Sequence, residues 1–183
     1  ALVNLLGPVA RVCGIVGAAH RERVATTPSI AGRRLPVEIP THQAGTLEFA
    51  NGAIVSLVMS FDVQAHLHSC IEVYGTEGSM LVPDPNGFGG EIKVKRFGAK
   101  EWASVPHTHR YAENSRGLGV ADMASAIRSG RSHRASGELA AHVLDTMQAF
   151  LDASDTGKAV LLGTTCSQPA PMPMNLRDGE VEA

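Results

Sequence analysis

The chain has 183 residues, 44% of them hydrophobic, and 16 Lys and Arg against 18 Asp and Glu leave a formal net charge of −2. Domains commonly run ~100–200 residues, so this is length for one domain with a real core. Near-neutral charge argues against nucleic acid as the main partner, because phosphate binding needs concentrated Lys and Arg.

No apolar run approaches the ~18 residues of a membrane span, and no basic stretch followed by a signal-type core opens the sequence. Cys13, Cys70 and Cys166 are an odd number at wide spacings, with no CxxC. That usage reads as a reduced, cytoplasmic protein rather than a disulfide scaffold. Aromatics are only 4%, so the core is expected to be built from Val, Leu, Ile, Ala and Met.

Taken in chain order, ALVNLLG places Leu2, Leu5 and Leu6 on one helical face, and Gly7-Pro8 ends the helix. Val9 to Val16 reads as a strand. Residues 18–40 are polar and hold Pro28, Pro36 and Pro40, which predicts a long, loosely structured excursion. HQAGTLEFA and AIVSLVMSFDV flank Asn51-Gly52, a strong short hairpin signal because both turn residues tolerate positive φ. In the second strand Val55, Leu57, Met59 and Phe61 form the expected core face. Ile54, Ser56, Val58, Ser60 and Asp62 form a mixed face for solvent or a partner.

Ser69 to Tyr74, a GTEG turn and Ser79 to Val82 predict a second hairpin. PDPNGFGG is a loop, Glu91 to Phe97 a strand, and Trp102 to Val105 an edge strand. Two helices follow. The first has an apolar stripe of Leu118, Ala121, Met123, Ala124 and Ile127, a cap at Asn114 or Ser115, and a stop at Gly130. The second has Ser136 as its cap and a buried face of Leu139, Val143, Leu144, Met147, Phe150 and Leu151. Between them lies the basic elbow SGRSHR, which complements a helix C-terminus. The sum is an α+β fold: a large, mainly antiparallel open-faced sheet with helices packed on one face. Residues 1–163 form the domain, and 164–183 a Pro-rich tail expected to be extended or disordered.

Three groups of residues invite chemistry. His66, His68 and Cys70 alternate, so on a strand they would share a face. Steps of ~6.6 Å keep them too far apart to share one ion easily. His107, His109, Arg110 and Tyr111 precede a helix whose N-terminus offers free N–H groups, a place suited to a hydroxylated or anionic ligand. The plainer reading is a solvated polar loop. His42, next to Thr41, opens a strand and is more simply a hydrogen-bonded strand-end residue. GFGG and RGLGVAD are not cofactor fingerprints, since neither follows a strand and opens a helix within a βαβ unit.

The segments LLGPV, PTHQAGTLEFANGA, IEVYGTEGSMLVPDPNGFGG and YAENSRGLGVADMASAIRSGRSHRASGELAAHVLD occur here in that order. Together they resemble the C-terminal domain of the Gfo/Idh/MocA family of NAD(P)-dependent oxidoreductases, from Ala1 to about Pro173. The resemblance implies an intact enzyme in which a Rossmann domain binds NAD or NADP. The domain seen here would close the substrate site and build homo-oligomers through its sheet face. Sugars and polyols are the implied substrates, with hydride transfer at a carbinol carbon.

By the same resemblance, Asn114 and Arg116 are the implied substrate-lining positions, followed by Tyr111, Arg110 and His109, and then His42. This sequence departs from the family in having no GxGxxG fingerprint, no Glu-Lys-Pro segment with the catalytic lysine, and no Asp-x-x-x-His pair. The Rossmann domain is absent from it. It is therefore expected to be a truncated domain, inactive alone, with no catalytic residue, cofactor or metal of its own. Two alternatives stand beside that reading: a standalone sugar-binding or scaffold module, and a metal-assisted enzyme using His66, His68 and His107 or His109.

Overall fold

The computed structural model describes residues 1–182. In chain order the elements are α1 (Leu2–Leu6), β1 (Val9–Gly17), β2 (Glu22–Val24), β3 (Arg34–Pro36), β4 (His42–Phe49), β5 (Ile54–Ser60), β6 (Ile71–Gly75), β7 (Gly78–Val82), β8 (Ile92–Arg96), β9 (Ala103–Val105), α2 (Leu118–Ser129), α3 (Gly137–Thr156) and β10 (Val160–Leu161). Every strand pairing among the described residues is antiparallel. A doubly wound sheet needs parallel strands, and none occurs there. The strands divide into two four-stranded sheets, β10-β1-β4-β5 and β6-β7-β8-β9, and the two-stranded β2-β3. The chain forms two compact units, one of residues 1–66 and 137–168, the other of 67–136 and 169–183.

The first unit is a sheet with one long helix on it. Asn51 and Gly52 make the β4–β5 turn as expected. Gly52 takes φ 88°, its N–H donates to the Phe49 carbonyl, and the Asn51 side chain accepts the Ala53 N–H. On the core face the register sets Val12, Leu47 and Val55 in one row and Gly14, Gly45 and Leu57 in the next. The two glycines are a seat for Phe150: a Cβ on either would fall on its ring. Phe150, Phe49 and Val12 are the largest fully buried apolar side chains among the described residues. Val55 and Leu57 join that core, but Met59 and Phe61 are exposed, because the strand end runs past it. On the opposite face Ile15 and Val58 lie either side of Ala44 and are 74% and 63% exposed.

Helix α3 turns a different side to this sheet than its apolar residues suggested. His142, Thr146, Ala149, Phe150 and Ala153 are buried, at the i, i+4, i+7, i+8, i+11 spacing of one face. Leu139 and Val143 pack at its border, whereas Leu144 and Met147 are exposed. Close approach to Gly14 and Gly45 favours small residues, and the buried polar groups have partners. The His142 ring accepts the Val9 N–H on Nε2 at 2.9 Å, and its Nδ1 lies 3.0 Å from the Thr164 hydroxyl. That hydroxyl donates to Asp145 at 2.6 Å. Thr146 donates to the His142 carbonyl.

The second unit holds β6–β9 and α2. The Thr76-Glu77 turn joins β6 and β7 in the expected hairpin. Helix α2 buries Asp122 and Ala126, while Met123, Ile127 and Val120 are exposed. Its N-cap is Gly117, with no side-chain cap from Asn114 or Ser115. Gly130 stops it in the left-handed conformation, as expected. The basic elbow is an ion-pair cluster. Asp122 accepts the Arg134 N–H and an Arg131 Nη2–H, each at 2.8 Å, and pairs with the Arg134 guanidinium. Burial pushes the Asp122 carboxyl up, but these donors outweigh it and hold the group below the usual carboxylate range.

Residues 18–40 are more ordered than their composition suggested: β2 and β3 pair. Residues 164–182 form no helix or strand, yet they bury Cys166, Leu176 and Val181.

Candidate functional site

The segment from Pro106 to Gly117 runs between β9 and α2, within the second unit. His107, His109 and Tyr111 stack in a ladder, with ring centroids 6.1 and 6.0 Å apart. Most of their polar atoms are used inside the protein. A His107 ring nitrogen lies 2.9 Å from the Gly90 carbonyl. His109 accepts the Tyr111 N–H on Nδ1 at 3.2 Å. The Tyr111 hydroxyl sits 2.5 Å from the Glu180 carbonyl and 3.3 Å from that of Arg177. One O–H has one proton to give, and the nearer carbonyl takes it.

What remains is a short set of uncommitted groups. Arg110 and Asn114 are exposed. Arg116 is exposed and reaches Asn86 only through a long 3.4 Å contact. A guanidinium offers five donors in a fixed fork, and an amide offers both donor and acceptor. Such groups match the vicinal hydroxyls of a polyol or an anion. The loop brings Arg110, Tyr111, Asn114 and Arg116 onto one covalent segment with His109.

His42 belongs to the first unit. Its Nδ1 is 2.8 Å from the Ser60 hydroxyl, across the register of β4 and β5. Beside it is a cluster that the reading of the sequence missed. Asp62 accepts the Thr41 hydroxyl at 2.7 Å, the Ala19 N–H at 3.2 Å and an Arg23 Nη2–H at 2.5 Å. The Thr41 bond chiefly, with Ala19 and Arg23, holds the Asp62 carboxyl below its usual range against desolvation. Arg23 also donates to the Phe61 carbonyl. This cluster ties the β2–β3 arm to the end of β5. No local signal marks it, because Arg23 and Asp62 are 39 residues apart.

His66, His68 and Cys70 do not lie on a strand, since β6 begins only at Ile71. His66 falls in the first unit and the other two in the second. Among the described residues no three His, Cys, Asp or Glu side chains group to hold a metal ion, so the geometry supplies no ligand set for the metal reading. His68 and Cys70 line an open hollow of about 330 Å³ with Asp84, Glu91 and Lys93. Two of its charges are spent on each other: Glu91 pairs with Lys93 at 3.0 Å and accepts the Ser104 hydroxyl.

Neither glycine-rich segment fits a dinucleotide. Gly87 to Gly90 leads into β8 rather than a helix, and Gly117 and Gly119 follow a loop rather than a strand. All three cysteines are free. Among the described residues no helix is long and apolar enough to cross a membrane.

Comparison with known proteins agrees with this architecture. No curated protein sequence matches the chain. Among solved structures it is similar to levoglucosan dehydrogenase in its apo form, with 18% identity and a TM-score of 0.73 over 90% of this chain and 49% of that one. The same enzyme in complex with NADH and L-sorbose matches with 19% identity and a TM-score of 0.70, over 89% of this chain and 47% of that one. Aldose-aldose oxidoreductase from Caulobacter crescentus, complexed with glycerol, matches with 16% identity and a TM-score of 0.62, over 85% and 42%. The chain thus spans about half the length, or less, of these structures. The sequence model of the GFO/IDH/MocA C-terminal domain matches residues 1–81. That match covers the first 81 of 183 residues, and the antiparallel fold as a whole is similar to that of these oxidoreductase structures.

Proposed function

We propose that residues 1–163 are the substrate-binding and oligomerisation domain of an NAD(P)-dependent sugar or polyol oxidoreductase. The observation that carries this reading is the set of exposed side-chain donors, Arg110, Asn114 and Arg116, on a loop where His107, His109 and Tyr111 are each bonded inside the protein. The sugar and nicotinamide ligands of the similar structures support the substrate class. The chain's own strands are antiparallel and its glycine loops do not fit a dinucleotide, so NAD or NADP would be held by a separate Rossmann domain. That cofactor would take or give the hydride at a carbinol carbon. The contribution of this chain is binding: Arg110, Asn114 and Arg116 fix the hydroxyls and so orient the reacting carbon. The Tyr111 hydroxyl and the Nδ1 atoms of His109 and His42 are engaged inside the protein, and these residues take supporting places. A cytoplasmic location suits the free thiols.

The half-apolar sheet face around Ile15 and Val58 is the proposed surface for self-association. Titration of isotope-labelled protein with levoglucosan and L-sorbose tests the site. Saturable amide shifts confined to residues 109–116 are expected. Shifts absent from that segment at saturating sugar would overturn the assignment. In a protein that joins this domain to a Rossmann domain, nicotinamide-dependent oxidation of the same sugars, abolished by Arg110→Ala, separates an enzyme subunit from a sugar-binding module without catalysis.

A further inference from the structure

The same segment has a second, unassigned feature: it is tied down by the far end of the chain. The Asn175 N–H donates to the Thr108 carbonyl at 2.7 Å. The Tyr111 hydroxyl donates to the Glu180 carbonyl. These two ties fall on either side of Arg110, at residues 108 and 111. The segment that makes them is itself anchored. Leu176 and Val181 are buried. Asn175 holds the left-handed conformation, φ 63°, that turns the chain there. The Glu180 side chain accepts the Arg177 N–H, and Glu182 accepts the Ser125 hydroxyl at 2.7 Å and pairs with Arg131. Arg131 also pairs with buried Asp122. All of these residues lie in the second unit.

We infer that residues 175–182 are a strap that sets the 108–111 loop and so aims Arg110, with Tyr111 as the pin and the Glu182–Arg131 pair as the latch. The strap is a positioning device: none of its residues is among the proposed sugar-binding groups, and it acts through the backbone on both sides of the guanidinium. An unpinned loop would leave Arg110 to be ordered by the ligand, which weakens binding by the cost of that ordering. The inference rests on the proposed sugar site only for its last step, from loop order to affinity.

Two measurements on the full chain test it. The first is amide hydrogen exchange without ligand. Tyr111→Phe keeps the ring and removes the pin, and Glu182→Gln removes the latch charge. Each should speed exchange in residues 107–112 by roughly three- to tenfold, as expected for one lost hydrogen bond. The core of β6–β8 should be unchanged. Added salt should speed exchange more in the parent protein than in Glu182→Gln, because only the parent has the Glu182–Arg131 pair to screen. Unchanged loop exchange in Tyr111→Phe would overturn the inference. The second measurement is levoglucosan titration, where both variants should bind more weakly than the parent by a similar factor. Faster exchange with unaltered sugar affinity would overturn the positioning role. Faster exchange in a protein that binds no sugar would sink the proposed function instead and leave the strap standing.

Discussion

Asp122 should be among the most sensitive surface-helix positions in the second unit. Its side chain is 7% exposed and faces two guanidiniums. Deleting one partner of a buried ion pair costs ~3–5 kcal/mol, because the remaining charge is left uncompensated. Here the remaining charges keep 27% and 22% of their side chains exposed. Water can therefore replace part of what the carboxylate supplied, and Asp122→Asn is expected to lose ~2–3 kcal/mol.

Trp102 is the only tryptophan and lies in the same unit, so its fluorescence during urea unfolding reports on that unit. With a urea slope of ~1–3 kcal/mol/M, the midpoint should fall by roughly 0.7–3 M. The pH dependence has a definite sign. The folded carboxyl sits below its unfolded value of ~3.9. Its stabilisation is therefore complete above that value and is lost as pH falls through the folded one. The gap between parent and variant should be full near neutrality and close below pH ~4. A loss under ~0.5 kcal/mol, as for an ordinary surface change, or a gap that widens in acid, would refute the buried-pair account.

Three further outcomes are expected. Gly45→Ala puts a Cβ onto the backbone of Cys13 and Gly14 and the Phe150 ring, so it should lower stability by ~1–3 kcal/mol or more. Gly119→Ala meets nothing in α2 and should raise stability by ~0.5–1 kcal/mol; thermal melts that rank the two the other way would contradict the glycine-seat argument. Asp62→Asn should free the β2–β3 arm, read as faster tryptic cleavage after Arg21, Arg23, Arg33 or Arg34. Because its carboxyl is lowered in the fold, acidifying the parent protein below pH ~4 should speed an acid-tolerant protease in the same segment. Unchanged cleavage in the variant would show that the cluster does not hold the arm. Finally, the chain should self-associate at micromolar concentration by light scattering, and Val58→Glu should give a monomer. A monomeric parent protein would remove the sheet face from the proposed function.

How far the sequence reaches depends on how far apart the partners are. The Asn51-Gly52 hairpin is legible because a turn's backbone demands are local, and the alternating strands around it follow from pleat geometry. The helices exist where the apolar period puts them, but their buried faces do not. A moment built on side-chain size points α3 toward Leu144 and Met147. The sheet instead presents Gly14 and Gly45, and a helix that close to a backbone buries Ala149, Ala153 and a bonded histidine. Nothing near residue 142 announces that Val9 will donate to its ring from 133 residues away. Asp122 looks like a solvent-facing acid until Arg131 and Arg134 fold back on it.

The same distance argument sharpens the candidate site. Composition marked the whole of PHTHRYAENSRG as polar and could not rank its members. The contacts with Gly90, Glu180 and Arg177 occupy His107 and Tyr111, and His109 is occupied by its own neighbour two residues on. A polar group bonded inside the protein must give up that bond to serve a ligand, so each such contact lowers a candidate's standing. Arg110 and Asn114 survive this subtraction, and Arg116 nearly does. The resemblance nominated Asn114 and Arg116 first and placed Arg110 lower. The proposed site puts Arg110 higher, because it is an exposed charge that lies between the two tied residues Thr108 and Tyr111.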